Sequence, residues 1–161
     1  MNNLAALSLL PQEQLNLAYY NEASELNRYK WLALTFLPFD SSVSRLMNAI
    51  SMECVHRLCN LQEVARKMDL CACVNAEGLG KKPLLNIKEQ HFFVVNDQVG
   101  DQILAKAEEA AKNSCTFFGW LLETNATPEL HNTLFEFVTQ KNNEFRVIQE
   151  CREQRSIGFY K

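Results

Sequence analysis

The chain has 161 residues, 47% of them apolar, and a formal net charge of -3. That length suits one domain with one substantial core, and the apolar content excludes a disordered chain. The acidic balance excludes a global basic field of the kind that gathers nucleic acid.

With only 5 Gly and 4 Pro, interruptions are few, which favours long helices over many short strands. The N-terminal run MNNLAALSLLPQEQ lacks a basic region and a full apolar core, so no signal peptide is expected. Pro11 suits the first turn of a first helix, where its missing N–H costs nothing. Leu15, Ala18, Glu22, Glu25, Tyr29, Leu32 and Phe36 then follow in alternating steps of three and four, the seam of a helix over 11–36. Two of those seam positions are acidic. Pro38 ends the helix, and Asp40-Ser41-Ser42 offers caps for a second one over 42–69. Its inner side reads Val43, Leu46, Ile50, Glu53, Leu61, Val64 and Met68, with His56 beside Glu53.

Residues 70–96 break the pattern. Glu77–Pro83 is rich in turn formers, and His91–Val95 is β-prone without a partner strand. The segment reads as a long crossover that lets the second and third helices run parallel. Asn96-Asp97 can cap a third helix over 97–123, with the stripe Leu104, Ala107, Ala111, Ser114, Phe118 and Leu121. Thr127 and Pro128 open a fourth over 127–152, with the stripe Leu130, Leu134, Phe137, Lys141, Ile148 and Cys151. The tail 152–161 is basic and reads as peripheral. The expectation is an all-α, single-domain four-helix bundle over 1–161, and no stretch is long and apolar enough to predict a membrane span.

Six cysteines are present, and four fall singly inside predicted helices, which suits reduced core thiols in a cytoplasmic protein. Cys71-x-Cys73 lacks the spacing and the second pair of a zinc site. His91 and His131 are isolated and read as surface residues.

The chemistry concentrates in Met52–Leu58, MECVHRL. Glu53 and His56 stand three apart, side by side on one helix face. With Glu22 on the neighbouring seam they make half of a carboxylate-bridged two-metal site. The halves of the chain also read as two copies of one helix pair. Tyr29-Lys-Trp31-Leu-Ala matches Phe118-Gly-Trp120-Leu-Leu at an offset of 89, which carries Glu22 onto Ala111. Leu46 and Ile50 match Leu134 and Val138 at an offset of 88, which carries Glu53 onto Lys141 and His56 onto Glu144.

The run NEASELNRYKWLA, with Glu22 seven residues before Tyr29, resembles the first metal-binding helix of the rubrerythrins and related ferritin-like proteins. The M-E-C-V-H run is similar to that family's E-x-x-H. The resemblance implies a ferritin-like bundle with Glu22, Glu53 and His56 as metal ligands and Glu144 where the second histidine is expected. Ala111 and Lys141 match no ligand of that family, and the rubredoxin-type cysteine pairs of rubrerythrins are absent from this sequence.

Two functions follow as expectations. The first is a rubrerythrin-like metal-binding protein, an iron-dependent oxidase or peroxidase with one metal or a degenerate di-iron site. Three carboxylates, Glu22, Glu53 and Glu144, offset by the Lys141 ammonium, leave a charge of two for a divalent ion with His56 as neutral ligand. Iron, then manganese or zinc, suits that donor set. Lys141 takes the second metal's place, and Tyr29 and Glu25 stand behind the ligands. The second is a non-enzymatic helical interaction module in which the former site is a buried ion-pair network around Lys141. An RNA-modifying di-iron hydroxylase on the same scaffold is disfavoured by the acidic balance and the lost ligands. Partners reduce to a homodimer, an electron donor or a protein, with no nucleic acid or membrane expected.

Overall fold

The computed structural model describes residues 8–74 and 93–158, and it is all-helical over them. The helices are α1 (Pro11–Phe36), α2 (Ser41–Lys67), α3 (Asp97–Glu123) and α4 (Pro128–Gly158), with one 3-10 turn at Cys71–Val74. None of them is long and apolar enough to cross a membrane. Residues 75–92, most of the expected crossover, lie outside the described residues, as does His91.

Local chemistry sets the helix ends. Pro11 opens α1, which has no capping side chain. Asp40 caps α2 by accepting from the amides of Ser42 and Val43, and Asn96 caps α3 by accepting from Val99 N. α2 closes at Asp69, whose φ of 59° is left-handed. The Leu70 N–H reaches back to Ala65 O and the Asp69 N–H to Arg66 O, satisfying carbonyls of the last turn.

Contacts between helices give their directions. Ser44 Oγ donates to Ala33 O, and Arg57 meets Glu22, so α1 and α2 are antiparallel. Gln14 Nε2 donates to Leu121 O, and Val94 N to Thr35 O, so α1 and α3 are antiparallel as well. α2 and α3 therefore run the same way. Val74 packs with Leu15 and Leu130 at one end, while Val94 packs with Phe36 and Ile148 at the other. Val74 and Val94 thus lie at opposite ends of the bundle.

α4 extends beyond the expected residue 152. Its last turns are anchored rather than peripheral: Arg152 bonds Asp101 and Glu108 on α3, and Arg155 bonds Asp40 and Asp97. Arg152 and Arg155 thus tie α4 to the start of α2 and to α3.

The core is divided along its length. One apolar cluster gathers Leu15, Ala18, Leu58, Leu61, Phe118, Leu121, Leu134 and Phe137. The other gathers Leu32, Phe36, Met47, Ile50, Leu104, Ala107 and Ile148. Between them, at mid-height on every helix, lies a layer of buried polar groups: Glu22, Glu25, Arg57, Ser114, Lys141 and Glu144.

Candidate functional site, a buried ion-pair layer

Arg57 and Lys141 are each 1% exposed at the side chain, and Glu22 is fully buried. An ion in that setting is held only if opposite charge and hydrogen bonds replace its water. The Arg57 guanidinium donates from Nε to Glu22 Oε2 at 2.9 Å and from Nη1 to Gln140 Oε1 at 3.0 Å. Its Nη2 donates to Glu144 Oε1 and to Cys54 Sγ. The Lys141 ammonium pairs with Glu22 Oε1 and Glu25 Oε2, and lies 3.7 Å from Glu144 Oε2. It also stands 5.3 Å from the centre of the Phe118 ring, whose face attracts a cation. At the edge, Arg28 pairs with Glu25 at 3.3 Å and covers the Tyr29 ring. Three carboxylates are thus met by two interior cations and one at the rim.

This environment fixes the charge states. Burial works against the Lys141 ammonium, but Glu22 and Glu25 overcome it and raise its pKa above the ordinary value. Burial pushes Glu25 up, and Lys141 and Arg28 more than offset that, so its carboxyl is held below the usual range. At Glu144 burial prevails over Lys141 and Arg57, and the pKa is raised. Burial, reinforced by Glu22, keeps Cys54 a thiol; burial, reinforced by Glu25, keeps Tyr29 a phenol.

Glu22, Glu25, Tyr29, Lys141 and Glu144 come together as one cluster. Glu53 and His56 do not join it. Their side chains are 56% and 66% exposed and pair with each other, at 3.9 Å, on an exposed part of α2. The expectation that they converge with Glu22 is corrected: Cys54 and Arg57, one residue further along, point inward instead.

The physical reason is helical register. In α2 the buried positions include Val43, Met47, Ile50, Cys54, Arg57 and Leu61. In α4 they are Leu130, Leu134, Phe137, Lys141, Glu144 and Ile148. Each of the first set lies 87 residues before its counterpart, not 88. One residue is about 100° of rotation on a helix, enough to move a side chain from core to solvent. In the other pair the offset of 89 joins six buried positions of each helix: Leu15, Ala18, Glu22, Glu25, Tyr29 and Leu32 answer Leu104, Ala107, Ala111, Ser114, Phe118 and Leu121. The site is therefore built on a two-copy pattern, with Glu22, Cys54 and Arg57 from one copy and Ala111, Lys141 and Glu144 from the other.

Arg57 is the residue that sequence reasoning missed. It was given no role in the sequence, where His56 and Glu53 fitted a familiar motif. The signal that finds it is the apolar register of Val43, Met47, Ile50 and Leu61 against α4.

A metal ion does not fit this donor set. Glu22, Glu25 and Cys54 offer ligand atoms within 4.8 Å of one another. The Lys141 ammonium already occupies the space between the two carboxylates, and the Cys54 sulfur is held as a thiol beneath Arg57. An ion would have to displace an ammonium and take a proton from the thiol, and Ala111 supplies no ligand from α3. Comparison of the chain with protein-family models, with curated proteins and with solved structures returned no match.

Removing either interior cation leaves buried carboxylates unpaired. Arg57→Met and Lys141→Met are each expected to cost about 3–5 kcal/mol in urea denaturation, whereas Glu53→Ala and His56→Ala should stay within about 0.5 kcal/mol.

The carboxylates make opposite contributions with pH. Glu144 binds its proton more tightly folded than unfolded, so its contribution to stability falls as pH rises from 4.5 through its folded value. Glu25 is depressed, so its contribution is complete above 4.5 and is lost as pH falls through its folded value. Urea denaturation over a pH series should therefore show Glu144→Gln gaining on the parent as pH rises past 4.5. The deficit of Glu25→Gln should shrink as pH falls below it.

Proposed function

We propose that this protein is a non-enzymatic helical interaction module of ferritin-like descent, in which a buried ion-pair network stands where a carboxylate-bridged metal pair would lie. The observation that carries the reading is the two-copy pattern at mid-bundle. A ferritin-like metal site takes a Glu from each of two helices and a Glu-x-x-His pair from each of the other two. Here the first kind of position holds Glu22 and Ala111, and the paired positions hold Cys54-x-x-Arg57 and Lys141-x-x-Glu144. The spacing of three is kept in both copies while the chemistry has changed from ligands to a set of opposite charges.

The same network argues against catalysis at the centre. A nucleophile or general base must be available in its reactive form near neutral pH. Cys54, Tyr29 and Lys141 are held as thiol, phenol and ammonium. The iron-dependent reading needs ligands that Glu53 and His56, facing solvent, are not placed to supply. All six cysteines are free, which supports a reducing, cytoplasmic setting.

The test is elemental analysis of protein produced with iron, manganese and zinc, without chelator or affinity tag, together with its unfolding midpoint in each metal. The reading predicts metal far below one ion per chain and an unchanged midpoint. An ion bound at a hundred times its Kd would add about 2.7 kcal/mol of stability and raise the midpoint visibly. One ion retained per chain, lost in Glu22→Gln, would overturn the reading.

A further inference from the structure

α2 and α4 approach each other less closely than the α1–α2 and α3–α4 pairs do. The gap between them opens into two adjoining cavities of about 390 and 330 Å³ that share Leu46 and Val147. Val43, Leu46, Ile50 and Val147 supply apolar lining, and the exposed Glu53 and Glu150 line the cavities beside them. The lining runs along α2 from Ser42 to Arg57, about 22 Å at 1.5 Å per residue, or four helical turns.

Charge decides what this groove fits. Its two arginines are already engaged: Arg57 with Glu22 and Glu144, and Arg155 with Asp40 and Asp97. Glu150 has no ion-pair partner among the described residues, and Glu53 has only His56. Arg45 and Arg146 are exposed but belong to the lining of neither cavity. The free charge of the groove is therefore negative. That disfavours an anionic lipid surface, and a second copy presenting the same glutamates would meet like charge.

We propose that the α2–α4 groove docks a basic amphipathic helix of about 15 residues. Its apolar stripe lies on Leu46 and Val147, and its lysines or arginines face Glu53 and Glu150. A helix laid in a groove between two others presents anchors at spacings of three and four, which two adjoining apolar lobes can receive. This rests on the reading of the chain as an interaction module and names the chemistry of its partner.

The test uses the full chain and two synthetic peptides of about 15 residues that share one leucine stripe, one flanked by lysines and the other by glutamates. Binding is followed by fluorescence anisotropy at two salt concentrations. The lysine peptide should bind, more weakly at the higher salt. Its affinity should fall about tenfold or more for the pair Leu46→Lys with Val147→Lys and for the pair Glu53→Lys with Glu150→Lys. Both pairs lie outside the buried network, and circular dichroism confirms that each variant is folded. The proposal is overturned if the lysine peptide does not bind, if the glutamate peptide binds as well, or if neither variant weakens binding. It is also overturned if sedimentation shows the chain dimerising through this face, with the dimer lost in Leu46→Lys with Val147→Lys. Absent peptide binding with no retained metal would remove the groove proposal alone; a retained metal ion would remove the module reading itself, whatever the peptides do.

Discussion

A carboxylate taken fully out of water must be given its charge back, and Glu22 at the centre of this bundle imposes that demand on every helix around it. α2 answers with Arg57 and α4 with Lys141. Those cations bring in Glu25 and Glu144, and α3 stays small at the same height with Ala111 and Ser114. The layer therefore couples all four helices at one level. Apolar packing above and below it would tolerate a slipped register more readily, because leucines and phenylalanines exchange places at modest cost. A guanidinium bridging Glu22, Gln140 and Glu144 would not.

The helices were legible in the sequence because alternating apolar steps, Pro11, the Asp40 cap, the Asn96 cap and Pro128 all agreed on their limits. The buried faces of α1 and α3 were legible for the same reason, acidic positions included. The fourth helix ran further than its stripe, since its last turns are held by arginines reaching α2 and α3, and apolar spacing carries no record of such contacts.

The face of α2 was not legible from its motif. Glu53 and His56 satisfied a ligand spacing, and the same five residues contain Cys54 and Arg57 at the identical spacing. A three-residue interval says that two side chains share a face, not which face is buried. Only the longer run from Val43 to Leu61, set against Leu130 to Ile148, separates the alternatives. Lys141 could be read in part: a lysine on an otherwise apolar stripe needs carboxylates near it, expected to be Glu22 or Glu53, and the structure pairs it with Glu22 and with Glu25 in place of Glu53.

The account stands on Lys141 being a buried ammonium held between carboxylates. The most direct measurement is the pH titration of its side-chain ε-carbon by NMR, assigned with Lys141→Arg as the reference. The account predicts that Lys141 keeps its proton to higher pH than the exposed lysines, because Glu22 and Glu25 outweigh the cost of burial. A Lys141 signal that titrates with the exposed lysines, or below them, would show that the ammonium is not held by those carboxylates and would contradict the account.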